Sequence, residues 1–361
     1  MNYILLPSLK HAAAVRTASL LYHDCEIEIM LEKGTATDVN VQVHEQWQLK
    51  EIEIADKLSP LLPSLLRKTV AKVIRPMHNE VEAWKRNHEF LLKHLGACCC
   101  TWLLWKTDGT INRTQTAKKL VVNDNIDPKI RFIMACTYFL EDEVLALWER
   151  IKPVRKRKKL VFEDSNSAVK FWIRWLKRKN TKHWSEMVDE YFRIPSTYPC
   201  YPPMDIPLRV SCFYPFLSRE MKQHFIQYLA KPSCHADDFQ ICVNNMNETD
   251  RIEAFKTKFP FGLFFCLRWP YRSVFIKMAK EVFSYLTFDG FGTILHFMLC
   301  SYIFDGYEDF HLFEEFWLMS PATFKDETKK LGHSFATAES YFEFEHCPQA
   351  LKEIVRKCYL D

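Results

Sequence analysis

Glycine is scarce in this sequence, with 8 residues among 361, whereas average usage of about 7% would give roughly 25. Loops that cradle phosphates or dinucleotides need glycine where the backbone approaches the ligand. The sequence contains no GxGxxG, GxxxxGK[ST] or GxSxG motif. Few glycines also mean few turns with positive φ, which argues against an all-β fold.

Long apolar runs are also missing. The longest, at residues 97–105 and 259–267, reach about half the length of a membrane span. Residues 1–9 lack the basic start and the small-residue cleavage site of a signal peptide. The 13 cysteines are odd in number, and several, such as Cys136, Cys266 and Cys300, lie in apolar helical patterns, where a free thiol packs as a small hydrophobe. We therefore expect an intracellular protein in a reducing compartment, cytoplasmic with nuclear entry as an option, and neither secreted nor membrane-bound.

Helical periodicity dominates what is present. Two apolar faces with helical spacing follow each other: Phe132, Ala135, Cys136, Phe139 and Leu140, and then Val144, Leu147, Trp148 and Ile151. Asn125 or Asp127 can cap the first helix, and Pro128 suits its first turn. Glu141 and Asp142 lie where the first apolar pattern ends and the second begins. This segment therefore predicts two short helices joined by a tight acidic turn, which is a helical hairpin.

The hairpin recurs as a degenerate repeat in which the second helix ends with an aromatic-aliphatic pair and then a proline. The pairs are Leu147-Trp148, Tyr191-Phe192, Tyr228-Leu229, Ala254-Phe255 and Phe316-Trp317, and a sixth, Tyr285-Leu286, precedes Asp289-Gly290 instead. The spacing is irregular, and helical repeats have periods of about 33 to 47 residues. We predict an all-α fold of irregular stacked helical hairpins, resembling an α-solenoid. The alternative is an irregular helical domain in which prolines merely end helices.

The same signals predict five regions along the chain. They are an N-terminal helical region (1–107), helical hairpins with a basic segment (108–194), a connection (195–207), degenerate hairpin repeats (208–321) and C-terminal capping helices (322–361). The connection contains five prolines, at positions 195, 199, 202, 203 and 207, and cannot be helical throughout. In the first region, we expect Pro60, Pro63 and Pro76 to separate helices.

Several stretches carry a resemblance to a known family. The start reads Leu6-Pro7-Ser8-Leu9-Lys10-His11-Ala12-Ala13, an internal stretch holds Asp108-Gly109-Thr110, Arg131-Phe132 and Leu140-Glu141-Asp142, and a later one reads Phe259-Pro260-Phe261. These stretches are similar to a family of uncharacterised helical proteins found in spiders, and the likeness runs over most of the chain. The resemblance implies a helical fold. It implies no activity, cofactor or catalytic residue.

The strongest local feature is a basic segment, which we define as residues 150–182. It holds 13 basic and two acidic side chains, so it carries +11, whereas the whole chain carries +4 and the remainder therefore −7. A possible interaction patch within it consists of Arg155, Lys156, Arg157, Lys158, Lys159, Lys170, Arg174, Lys177 and Arg178. The opposite helix face carries Phe171, Trp172 and Trp175, which we expect to be buried in the core.

Four readings of the basic segment stay open. It can bind nucleic-acid phosphates, or residues 155–159 can act as a nuclear import signal. It can also bind an acidic partner, including the acid-rich residues 305–315 of this chain. The fourth reading is a solvated helix face beside a charged loop, which is the commonest origin of such a run. Burial of the tryptophans would weigh against nucleic acid, because bases stack on exposed rings.

Catalysis and metal binding have little support in the sequence. His94, Cys98, Cys99 and Cys100 lie within seven residues, but they lack the CxxC or HxxxH spacing of structural zinc sites. The adjacent carboxylates of Asp237-Asp238 show no pattern that indicates a tuned pKa. We predict no catalytic residue, no metal site and no cofactor. The predicted function is a non-enzymatic protein-protein interaction scaffold with a protein partner. Nucleic-acid association through the basic segment is the alternative, and an unrecognised enzyme is third.

Overall fold

The computed structural model describes residues 7–22, 42–58, 60, 62–95, 99–151, 166–178, 182–193, 206–229, 236–250, 261–305 and 310–330. Within these ranges, the chain forms helices and turns, and the only β pairing is an isolated antiparallel bridge between Trp105 and Ile111. The prediction of an all-α fold is therefore confirmed. Predictions on residues 152–165, 194–205 and 331–361, including the basic run at 155–159, lie outside the described residues.

The α-helices are numbered in chain order. They are α1 (Leu9–Leu21), α2 (Gln42–Lys57), α3 (Ser64–Asn87), α4 (Glu89–Leu92), α5 (Arg113–Val121), α6 (Pro128–Thr137), α7 (Glu141–Arg150), α8 (Ser167–Lys177), α9 (Val188–Phe192), α10 (Arg219–Leu229), α11 (Ala236–Asn244), α12 (Phe261–Leu267), α13 (Phe275–Val282), α14 (Phe288–Asp305), α15 (Phe310–Met319) and α16 (Ala322–Lys330). Short 3-10 helices lie at Cys99–Trp102, Trp184–Glu186, Val210–Cys212, Tyr214–Phe216, Tyr271–Val274 and Phe283–Tyr285. No described helix combines the length and the apolarity that crossing a bilayer requires.

The chain divides into two compact units. Unit 1 consists of Met1–Cys25 and Val73–Arg251, and unit 2 consists of Glu26–Lys72 and Ile252–Asp361. Each unit is therefore assembled from two separate stretches of sequence, and α3 contributes residues to both. The division into five consecutive regions stays a prediction.

The predicted hairpin is present as α6 and α7. Asp127 caps α6, because its Oδ1 accepts the Lys129 N–H at 2.7 Å, and Pro128 occupies the first turn. The rings of Phe132 and Trp148 lie 5.7 Å apart, so the two helices pack against each other. The predicted boundary between the two apolar patterns at Glu141 coincides with the start of α7.

Several helices end where the aromatic pairs predict. Helix α9 ends at Phe192, α10 ends at Leu229, and the last 3-10 helix ends at Tyr285. The pair Ala254-Phe255 lies outside the described residues. The helices differ widely in length, from the 4 residues of α4 to the 24 of α3. The stacking of hairpins into a solenoid stays a prediction.

Pro76 lies inside α3, so the prediction that it separates two helices is wrong. An internal proline removes one backbone hydrogen bond and costs about 3 kcal/mol. The next residue, Met77, is completely buried, and Ile74 and Val81 are 1% exposed. Burial of each such side chain stabilises the folded protein by about 1.5 to 3 kcal/mol. Tertiary packing of this face therefore outweighs the local cost of the proline.

Phe139 is the centre of the aromatic core of unit 1. Its ring centroid lies 5.2 to 5.9 Å from those of four other aromatic residues, which come from α8 and from the segments at 184 and 213: Phe171, Trp172, Trp184 and Phe213. Its backbone has a positive φ of 50°, a conformation that glycine normally supplies at a helix end. The Leu140 N–H donates to the Ala135 carbonyl at 3.0 Å and the Phe139 N–H to that of Cys136 at 3.2 Å, which is a Schellman motif.

Unit 2 has an aromatic core of its own. The ring of Phe316 on α15 lies 5.3 Å from Phe275, 5.6 Å from Phe283 and 5.4 Å from Phe291. Phe291 on α14 in turn lies 5.2 Å from Phe324 on α16. Phenylalanines therefore hold α13, α14, α15 and α16 together.

Substitution of Phe139 separates its packing from its backbone strain. Phe139→Ala should lower the free energy of unfolding by about 3 to 5 kcal/mol, because it leaves a cavity among four rings. Phe139→Gly loses the same ring but relieves the left-handed backbone, so it should be about 1 kcal/mol less destabilising than alanine. Urea denaturation of both variants measures this order, with the 45% exposed Phe216→Ala as a weakly destabilising control. A glycine variant no more stable than the alanine variant would contradict the role of strain.

Candidate interaction site

Helix α8 is fixed at its start by Asn166. The Asn166 side-chain oxygen accepts the Val169 N–H at 3.1 Å, and its Nδ2 donates to the Thr137 hydroxyl at 3.1 Å. The first contact caps α8, and the second ties that cap to the end of α6. The position of α8 therefore depends on the α6–α7 hairpin.

Helix α8 has the two faces that the sequence predicts. Its buried face includes Ala168, Phe171 and Trp172, and the Trp172 side chain has no exposed surface. The described part of the predicted patch lies on the other face, where Lys170, Arg174, Lys177 and Arg178 are all exposed. No described carboxylate forms a salt bridge with any of these four cations. The structure therefore brings together four of the nine predicted patch residues.

Trp175 does not lie in the core, which corrects the sequence-based expectation. Its ring stands perpendicular to that of Trp172 at 5.6 Å and is partly exposed. Its indole N–H donates to the Lys182 carbonyl at 3.1 Å, which fixes the ring at the end of α8. Trp175 follows Arg174 and precedes Arg178 by three residues, so it lies at the boundary between the apolar and basic faces.

An open surface pocket lies between α8 and α9. Its lining residues are Phe171, Arg174, Trp175, Arg178, Met187, Glu190 and Tyr191. We call this set the aromatic-arginine pocket. Phe171 is buried, whereas the charged side chains of Arg174, Arg178 and Glu190 are exposed. The pocket therefore has an apolar interior and a charged rim.

Contacts between side chains organise this pocket. The guanidinium carbon of Arg174 lies 5.7 Å from the centroid of the Tyr191 ring, a cation-π contact. The Phe171 ring meets Tyr191 edge-on at 5.2 Å. Burial raises the pKa of Tyr191, against the opposing charge of Arg174. Tyr191 is therefore a neutral phenol at physiological pH.

Helix α9 is held on two sides. Before it, the Trp184 indole N–H donates to Glu141 Oε2 at 2.7 Å. Within it, Asp189 Oδ1 accepts the Ser218 N–H at 2.6 Å, next to the start of α10. Both walls of the pocket are therefore attached to the rest of unit 1.

Sequence reasoning missed the contribution of α9. Met187, Glu190 and Tyr191 lie more than eight residues after α8, and only the fold brings them to it. The sequence did contain a signal for the α8 side of the pocket. Phe171 and Trp175 are four residues apart, and so are Arg174 and Arg178. Residues with this spacing lie on the same helix surface. The aromatic pair Tyr191-Phe192 indicated a helix end and nothing about a pocket.

A second polar cluster lies inside unit 1, around Arg209. The guanidinium of Arg209 contacts Asp237 Oδ1 at 2.8 Å and Asp238 Oδ1 at 3.1 Å. Asp238 also accepts the Val210 N–H at 3.0 Å and the hydroxyl of Ser211. The Arg209 guanidinium carbon lies 5.2 Å from the centroid of the Tyr138 ring. Arg209 and Asp238 have no exposed surface, so ligands in solvent do not reach these charges.

The pKa values of the two adjacent carboxyls are shifted in opposite directions. Burial alone would raise the pKa of Asp237, but the charge and hydrogen bonds of Arg209 outweigh it and lower that pKa. Burial raises the pKa of Asp238 to about 6, and the negative charge of Asp237 adds to this effect against Arg209. The sequence shows no pattern that indicates these shifts, because they come from burial and from the contact with Arg209.

The titratable groups beside this cluster are in their neutral forms. Burial, together with the charge of Arg113, lowers the pKa of His88 to about 3. Its Nε2 lies 2.9 Å from the Tyr138 hydroxyl, and its Nδ1 lies 2.8 Å from the Trp84 carbonyl. Burial raises the pKa of Cys212 to about 12, so it is a thiol and a poor nucleophile. We interpret the Arg209 cluster as structural.

No protein-family model, curated protein or solved structure matches this chain. The resemblance to the spider family therefore stays a prediction. Among the residues that the structure describes, no group of His, Cys, Asp and Glu is arranged to hold a metal ion.

Replacement of Asp238 by asparagine should remove a pH dependence of folding. Because burial raises the pKa of Asp238 from 3.8 to about 6, its contribution to stability is complete below pH 3.8 and is lost as the pH rises through about 6. Between pH 5 and 7, the free energy of unfolding of the wild type should therefore fall by about 1 kcal/mol relative to Asp238→Asn.

Urea titrations at several pH values measure this difference. Asp124→Asn is a suitable control, because Arg131 lowers the pKa of that exposed carboxyl, which stays ionised over the whole range. Its pH profile should run parallel to that of the wild type. Parallel profiles for Asp238→Asn and the wild type would contradict the raised pKa.

Proposed function

We propose that this protein is a non-enzymatic interaction module that binds a protein partner through the aromatic-arginine pocket. The observation that carries the proposal is the composition of this pocket. Tryptophan, tyrosine, arginine and methionine are the residue types enriched at protein interfaces, and the first three dominate binding hot spots. All four types line this one pocket, as Trp175, Tyr191, Arg174 with Arg178, and Met187.

The way the pocket is built supports the same proposal. A rigid aromatic anchor loses little conformational entropy when a partner binds. Trp175 is held by its hydrogen bond to the Lys182 carbonyl, and Tyr191 is packed against Phe171. Two further exposed cations of α8, Lys170 and Lys177, extend the surface beyond the pocket. Stacked helical hairpins, which remain part of this proposal, would present such a surface on a scaffold.

Loss of Trp175 should strongly reduce capture of the partner. Tagged wild type and Trp175→Ala are used for affinity capture from cells that express the protein, and bound proteins are quantified by mass spectrometry. Because hot-spot truncations cost more than about 1.4 kcal/mol, the true partner should decrease about tenfold or more with Trp175→Ala. Thermal unfolding of both proteins verifies that the variant is folded.

Trp102→Ala is the matched control for this experiment. Trp102 is also partly exposed and also has a cation over its ring, since Lys119 Nζ lies 5.3 Å from the ring centroid. It belongs to unit 1 but not to the pocket. If every captured protein is retained equally by the two variants, the pocket is not the binding site.

Nucleic-acid association is the second candidate, favoured by the exposure of Trp175. A partly exposed indole next to two arginines is an arrangement on which single-stranded bases can stack. The objection raised by the sequence therefore holds for the buried Phe171 and Trp172 but not for Trp175. The exposed cations of α8 would supply the phosphate contacts.

Salt-dependent binding to a single-stranded oligonucleotide tests this candidate. Fluorescence anisotropy is measured from about 50 to 200 mM salt with wild type and with Arg174→Ala/Arg178→Ala. If both arginines contact phosphates, their loss should reduce the slope of log K against log salt by about 1.4 for a single strand. Absence of binding at the lowest salt would eliminate this function, and an unchanged slope would place any binding elsewhere.

A further inference from the structure

The chemistry of the pocket also indicates what kind of partner it binds, an inference that rests on the proposed function. We propose that the occupant is an acidic peptide segment in extended conformation, in which one apolar side chain fills the aromatic-arginine pocket and flanking aspartates or glutamates pair with α8.

The pocket interior favours an apolar side chain over a nucleic-acid base. The ring of Tyr191 is covered by Arg174, whose guanidinium carbon lies 5.7 Å from the ring centroid, and is met edge-on by Phe171. Both contacts occupy Tyr191, so base stacking in this pocket would depend on Trp175. The pocket opens to solvent over Phe171 and Met187, so an apolar side chain that packs there covers apolar surface and gains free energy by burial.

The cations next to the pocket form a regular stripe. Lys170, Arg174 and Arg178 are exposed and lie four residues apart, so they are spaced by about 6 Å over about 12 Å of helix. An extended chain advances by about 6.6 Å every two residues. Carboxylates at alternate positions of an extended peptide therefore match the spacing of these cations. Arginine recognises carboxylates with two parallel hydrogen bonds, which adds specificity to the attraction.

Glu190 favours an acidic peptide over a strand of phosphates. Its exposed carboxylate lies on the rim of the pocket, opposite the arginines of α8. A strand of phosphates crossing the rim would meet this negative charge. A peptide has backbone N–H groups, and the Glu190 carboxylate can accept hydrogen bonds from them. The rim thus offers cations for the acidic side chains and an acceptor for the backbone.

Synthetic peptides test the proposal directly. The probe is fluorescein-labelled Asp-Glu-Trp-Glu-Asp, titrated with the full-length protein in fluorescence anisotropy at low salt. Two control peptides replace either the acids by Asn and Gln or the Trp by Gly, and both should bind at least tenfold more weakly. The Arg174→Glu/Arg178→Glu variant should also bind the acidic peptide at least tenfold more weakly than the wild type does. The matched control, Lys118→Glu/Lys119→Glu on exposed positions of α5, should bind within about twofold of the wild type.

A charge-reversed pair makes the test specific to direct contact. The peptide Lys-Arg-Trp-Arg-Lys should bind Arg174→Glu/Arg178→Glu more tightly than the wild type, which a merely structural role of the arginines does not predict. Equal binding of the acidic peptide by wild type and by Arg174→Glu/Arg178→Glu would overturn the proposal. So would binding of labelled oligouridylate through the same arginines without binding of the peptide. If Trp175→Ala loses its cellular partner but no acidic peptide binds, the interaction function stands and the acidic-peptide chemistry is wrong.

Discussion

The buried guanidinium of Arg209 is a constraint on which the architecture of unit 1 depends. A buried charge is tolerated only when its partners surround it, and those of Arg209 come from α11, while the Tyr138 ring covers its face from the end of α6. The next residue, Phe139, packs against Trp172 on α8, and Trp172 contacts Trp175 at the pocket. The geometry of the surface site therefore depends on an ion cluster that no ligand reaches.

The local signals in the sequence were sufficient for the helices but not for the sites. Asp127, Pro128 and the apolar spacing predicted α6 because a helix start is determined by neighbouring residues. The sequence around Asp237 and Asp238 gave no sign of their shifted pKa values, because these depend on burial and on Arg209, which lies 28 residues before Asp237. The prediction that Pro76 separates two helices failed for the same reason. The burial that outweighs the cost of a proline inside a helix is a tertiary effect.

The position of Trp175 shows how a functional surface can be hidden in an amphipathic pattern. A helical wheel assigns each residue to one of two faces, but Trp175 lies at their boundary, with its N–H engaged and its ring partly exposed. Four of the nine predicted patch residues lie on the described face of α8, and the α9 half of the pocket comes from a segment that charge patterning did not mark. The charge pattern predicted the α8 side of the site. The pocket itself is formed by the packing of α8 and α9.

The assembly of each unit from two separate stretches has a consequence for synthesis on the ribosome. Residues 26–72 belong with residues 252–361, so the first part of unit 2 leaves the ribosome long before its second part. At roughly 5 to 20 residues per second, this interval lasts about 10 to 40 s. During that time its apolar side chains, among them Trp47 and Ile54, lack the rest of their unit. Nascent chains of this protein should therefore depend on chaperones for the early segment, whereas the α6–α7 hairpin can form from adjacent residues as soon as it emerges.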